Sequence, residues 1–76
     1  MSKLPVLKPR EAIKVLSKLG FLEKRQKGSH KLFENDRGTI FLLAVHQGKE
    51  LKRGVVHDLM NISGLELKDF LKLLNA

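Results

Sequence analysis

From Pro9 onward the apolar positions recur at helical spacing: Ala12, Ile13, Leu16 and Leu19 fall on one stripe, with Lys14 and Lys18 on the polar side. Proline suits a first helical turn and Gly20 a stop, so residues 9–19 read as an amphipathic helix. The period then shortens. Residues 21–26 read as a short strand, although four of the six are polar, and residues 30–35 read as a second strand. Gly28 lies between them, where its freedom at positive φ permits a tight reversal. "NDRG" at 35–38 is a turn, and "TIFLLAV" at 39–45 is apolar at nearly every position, which places it centrally in a sheet. "HQGKELKRG" at 46–54 is a loop running into a helix that carries Val55, Val56, Leu59, Met60 and Ile62 and ends at Gly64. Leu67, Phe70, Leu71 and Leu74 then mark a second, short helix.

The predicted order is α-β-β-β-α with the last helix broken. It implies an α+β fold: one three-stranded antiparallel sheet with the helices packed on one face. At 76 residues the chain is a single domain over 1–76, with room for one small core. A hydrophobic fraction of 42% is enough to build that core. The layout is also that of double-stranded-RNA-binding domains, which grip RNA largely through shape and phosphate contacts.

Charge narrows the function. Fifteen Lys and Arg against eight Asp and Glu give a net charge of +7. Residues 1–57 hold 13 basic and 5 acidic side chains while 58–76 hold 2 and 3, so the excess lies outside the C-terminal segment. It centres on Lys24, Arg25, Lys27, Lys31, Lys49, Lys52 and Arg53, a pattern that attracts nucleic acid or an acidic protein. With no Cys there is neither a disulfide framework nor a thiolate nucleophile. No apolar run is long enough to span a bilayer and the start resembles no secretory signal, so a cytoplasmic protein without a membrane role is expected.

"KGSHKLF" at 27–33 sets a histidine between lysines, directly after Gly-Ser. With the turn at 35–38, Glu34 pairs with Thr39, and counting back along the hairpin brings His30 opposite Leu43 or Ala44. His46 follows on the same strand and Lys49 starts at that end of the sheet, so His30, His46, Ser29 and Lys49 are expected to converge. Three readings compete there. The first is acid–base chemistry on a phosphodiester, with the imidazole moving the proton and the cations holding the phosphate. RNA supplies its own nucleophile in the 2′-hydroxyl, so this chemistry calls for no metal and no cofactor. The second is zinc held by His30, His46 and His57, but their spacings of 16 and 11 match no common ligand signature. The third is a set of ordinary surface histidines. No dinucleotide fingerprint, Walker loop, nucleophile elbow or acidic two-metal cluster offers another site.

Over residues 9–74 the chain resembles HicA-type toxins, the ribonuclease half of toxin–antitoxin pairs. The resemblance is carried by the helix ending in "LGF" (19–21), "GSH" (28–30) opening the second strand, "VHQGKELKRGVVHDLM" (45–60) and "SGLELKDFL" (63–71). It implies a double-stranded-RNA-binding-like fold, cleavage of mRNA, and neutralisation by a HicB-type antitoxin. The family's catalytic histidine falls on His30, and the histidine ending its third strand falls on His46. Relatives often carry Pro two residues before that second histidine; here the position is Ala44, a change confined to the stiffness of a strand end.

The expected function is therefore that of a metal-independent endoribonuclease toxin acting on mRNA in the cytoplasm. His30 is the expected general acid/base, with Arg25, Lys27, Gly28, Ser29, Lys31, His46 and Lys49 as RNA-binding residues. A non-catalytic RNA-binding module using the same basic surface is the alternative, and a domain serving an acidic protein partner is a third reading.

Overall fold

A computed structural model describes residues 4–46 and 48–76. In chain order it comprises α1 (Pro9–Lys18), β1 (Leu22–Lys27), β2 (His30–Glu34), β3 (Ile40–Ala44), α2 (Arg53–Ser63) and α3 (Leu67–Asn75). The expected order of elements holds, including the break before the last helix, where Gly64 at φ 68 closes α2 in a left-handed cap.

Local chemistry sets the boundaries of α1. Pro9 occupies its first position, and the Glu11 carboxylate accepts the Lys8 backbone N–H at 2.8 Å, half of a capping box. At its other end the Phe21 N–H donates to the Leu16 carbonyl (2.9 Å) and the Gly20 N–H to that of Ser17 (3.1 Å). With Gly20 at φ 91 these two bonds form a Schellman motif, which turns the chain straight into β1.

The sheet is antiparallel in the order β1-β2-β3. The central strand is thus β2, and β3, expected in the middle, lies at an edge. The second hairpin also differs by one residue: Glu34 pairs with Ile40 rather than Thr39. Asn35 explains the longer loop, because its side-chain oxygen accepts the N–H groups of both Arg37 (3.0 Å) and Thr39 (2.9 Å). That register sets His30 opposite Ala44, the second of the two expected partners.

Phe33, Phe41 and Leu43 point from one face of the sheet into a core completed by Ala12, Val15 and Leu16 of α1, Val56 and Leu59 of α2, and Phe70 of α3. All four phenylalanines are buried there, each contributing about 1.5–3 kcal/mol on the transfer scale. Leu7, ahead of the first helix, is also fully buried, and its carbonyl accepts the Leu51 N–H at 2.8 Å. Lys18 clamps the end of α3 by donating to the carbonyls of Leu73 (3.1 Å) and Ala76 (2.8 Å). Among the described residues no helix covers the opposite face of the sheet. No helix among the described residues is long and apolar enough to cross a membrane.

Candidate functional site

The two-residue link Gly28–Ser29 joins β1 to β2 and pairs Lys27 with His30 across the hairpin. Gly28 has φ 60 and Ser29 is not among the positive-φ residues, the sign pattern of a type II′ turn, which demands glycine at its first central position. Two further bonds hold the turn: the Gln26 amide donates to the Gly28 carbonyl (3.1 Å), and the Val45 N–H donates to that of Ser29. Because β2 is central, His30 pairs with β1 on one side and β3 on the other, so its backbone is fixed from both directions.

Alternation along the strands separates the candidate residues into two sets. His30, Leu32 and Glu34 share one face of β2, opposite in sense to buried Phe33, so the exposed His30 stands on the helix-free face. On β1 strict alternation from Leu22 would send Lys24 and Gln26 to that face. A register shift between Glu23 and Arg25 intervenes, and Arg25 pairs with Leu32 and Lys27 with His30. The bulge thereby aims Arg25 and Lys27 to the same side as His30. No pattern in the polar run "EKRQK" announces it.

Lys31 falls on the other side, with Phe33. There a cleft of about 880 Å³ opens between the start of α1, the Gly28–Ser29 turn and the loop after β3. It collects Gly28, Ser29, Lys31 and Lys49 of the expected set, together with Lys8 and Arg10, which the sequence pattern did not single out. Their signal was present in "LKPRE": a lysine and an arginine flanking the first helical position. Against these four cations stands one carboxylate lining the cleft, Glu50. Lys31 is already engaged, its Nζ lying 3.1 Å from Glu23 Oε1.

The expected convergence is therefore partial. Ser29 and Lys49 meet in the cleft, while neither His30 nor His46 lines it. His46 is exposed just past β3, and its carbonyl accepts the Lys49 N–H at 3.0 Å in a turn that uses Gly48 at φ 77. His57 lies on α2, within 3.2 Å of the Asn61 amide. Among the described residues no group of three or more His, Asp or Glu side chains is placed to hold a metal ion.

The helix-free face is also unusually apolar. Leu22, Ile40 and Leu42 are 61%, 52% and 62% exposed, and all three alternate to that face. Leu32 sits among them, opposite Leu42. Glu34 stands between Leu22 and Ile40, and the apolar surface continues through Leu32 and Leu42 towards His30; exposed apolar patches of this kind mark macromolecular contact surfaces.

Comparison with family models finds a match, described as the HicA toxin of bacterial toxin–antitoxin systems, over residues 9–65. The matched span runs from α1 through α2 and holds every residue of the two sets described above except Lys8; α3 lies beyond it. Comparison with curated proteins finds no match.

Proposed function

The chain belongs to the HicA toxin family, the toxins of bacterial toxin–antitoxin pairs, and we propose that it acts as an endoribonuclease on mRNA with His30 as its general acid/base. The observation that carries this reading is the placement of His30: an exposed imidazole on the doubly paired central strand, with Lys27 directly across from it and Arg25 on the same face. The imidazole takes the proton from a ribose 2′-hydroxyl, whose oxygen then attacks the adjacent phosphorus. The new O2′–P bond forms as the P–O5′ bond breaks, and solvent at this open face protonates the departing 5′-oxygen. Lys27 and Arg25 hold the phosphate and offset the charge that grows on it. His46, two residues beyond Ala44, the residue paired with His30, binds the RNA strand rather than moving the proton.

A partner protein belongs to the proposal. Leu22, Ile40 and Leu42 offer RNA neither charge nor hydrogen bond, and on this open face, with every phenylalanine in the core, they neither enclose a base nor give it a ring to stack on. They suit a protein surface. An antitoxin of the HicB type that buried this strip would cover His30 as well and so silence the nuclease.

The test is cleavage of single-stranded RNA by the purified chain in the presence of a chelator. A 2′,3′-cyclic phosphate product is expected, together with a loss of about 10²–10⁴-fold in rate for His30→Ala. Unchanged cleavage by His30→Ala removes the mechanism. A wild-type chain that shifts RNA but never shortens it establishes the non-catalytic RNA-binding module instead.

A further inference from the structure

We infer that the cleft on the helix side of the sheet is a nucleotide subsite, and that single-stranded RNA reaches it by crossing the Gly28–Ser29 turn from the His30 face. The inference rests on the proposed RNA cleavage for the identity of its ligand, and it deepens that reading.

Three observations converge on it. The cleft's volume of about 880 Å³ lies within the range of about 300–1,000 Å³ that small ligands occupy, more than a phosphate alone would need. Its chemistry is divided as a nucleotide is divided. Arg10 and Lys49 supply cationic donors for a phosphate, while Pro9, Ile13 and Val45 give an apolar wall for a base. The N-terminus of α1 opens at the same place; the Glu11 carboxylate that caps it and Glu50 in the lining offset part of the positive charge, and the four cations outnumber these two carboxylates. The third observation is the route. Ser29 lines the cleft and His30, the next residue, opens β2 with its side chain on the other face. Ser29 and His30 are consecutive, so a strand leaving the His30 face has only the two-residue turn to cross before it meets the cleft.

Gly28 leaves that crossing clear. A Cβ built there would meet no atom within 4 Å beyond its two chain neighbours, so the space above the turn is open. The turn's glycine thus has two consequences: it permits the reversal and it leaves a bare backbone over which a sugar–phosphate chain can bend. A strand held at both ends across a turn presents one phosphodiester at His30, which is how a shallow, open site would select a bond in a long polymer. The preference for the nucleotide beside the cleaved bond then belongs to the cleft, on the face away from the histidine.

The experiment uses a His30→Ala background, so that RNA is bound without being cut, and a fluorescently labelled short single-stranded RNA followed by anisotropy across a salt series. Adding Arg10→Gln or Lys49→Gln should weaken binding and lower the slope of log affinity against log salt by about 0.7 for each phosphate no longer neutralised. Lys68→Gln, at an exposed position of α3, serves as the control for net charge and should leave the slope closer to its parent value. Arg10 and Lys49 variants that behave like the Lys68 variant overturn the subsite. A wild-type chain that binds through the cleft yet leaves RNA intact removes the nuclease reading while the subsite stands.

Discussion

Replacing Gly28 by alanine tests whether the turn, rather than the residues around it, positions the site. The backbone there has φ 60, outside the region that alanine prefers. An added Cβ would meet nothing within 4 Å, so the penalty is conformational and not steric. A residue held in such a region costs about 1–3 kcal/mol, and alanine recovers roughly 0.4–1 kcal/mol by restricting the unfolded chain. The net loss expected is about 0–2.6 kcal/mol, centred near 1.3 kcal/mol. A domain of this length has a total stability on the order of 4–11 kcal/mol, so the variant should remain folded. Urea unfolding followed by far-UV circular dichroism suits a chain without Tyr or Trp, and the midpoint should fall with the m-value unchanged.

Gly38→Ala provides the matched comparison. Gly38 has φ 79 in the turn at the other end of β2, and its added Cβ would find only an ordinary 3.9 Å approach to Glu34. Both variants should lose comparable stability, but only Gly28→Ala should also lower RNA cleavage at temperatures where both are folded. The reasoning fails if Gly28→Ala leaves cleavage unchanged, or if Gly38→Ala lowers cleavage to the same extent.

Phe70→Ala should cost about 3–5 kcal/mol by the same unfolding assay, because the ring is fully buried; a loss below about 1 kcal/mol would show that α3 is not part of the core. Glu23→Gln should change stability by less than about 1 kcal/mol, since the pair it breaks is 22% and 37% exposed. It should tighten RNA binding, however, by freeing Lys31 for the cleft, and an unchanged or weaker affinity in an anisotropy titration would contradict that placement. Leu42→Lys, on the helix-free face, should abolish capture by the cognate antitoxin while leaving the isolated chain folded. Retention of the complex in a pull-down with that variant would remove the apolar strip from the interface.

Most of the fold was legible because short-range chemistry and hydrophobic period agree in this chain. The stripe of α1, the stop at Gly20, the break at Gly64 and the turn beginning at Asn35 all carry their own local signals. The departures have different causes. "TIFLLAV" reads as a central strand because both of its faces are apolar, yet β3 is an edge. Its second apolar face is not covered by the fold at all, and sequence alone does not distinguish a residue buried by its own chain from one reserved for another. Leu7 escaped notice because it lies in an extended segment, where no periodicity flags a single buried side chain. The β1 bulge arises from pairing with β2, so the polar run that contains it reads the same with or without one. The basic cluster was visible as composition, but its division between two sides of a sheet required knowing which residues alternate to which face.

That division bears on how so small a chain could act on so large a substrate. A single enclosed pocket would have to admit a polymer end or a flipped base. Here the proposed general base stands on an open face, and the cleft lies around a corner from it, across a two-residue turn. Such an arrangement favours a bent, flexible strand over a stiff duplex, since only the former can follow the corner without a large deformation cost. It also leaves the histidine unprotected. If His30 is the general base proposed, a group that none of the described residues covers depends on an outside surface for control, and the apolar residues beside it supply a place for one to bind. On this reading the exposed leucines and the exposed histidine have one cause: the same face must be open to RNA when the toxin is free and closed by protein when it is not. A Leu42→Lys chain should therefore keep its cleavage of RNA while escaping inhibition by the antitoxin. Loss of cleavage in that folded variant would instead assign the strip to RNA binding and break the link between exposure and control.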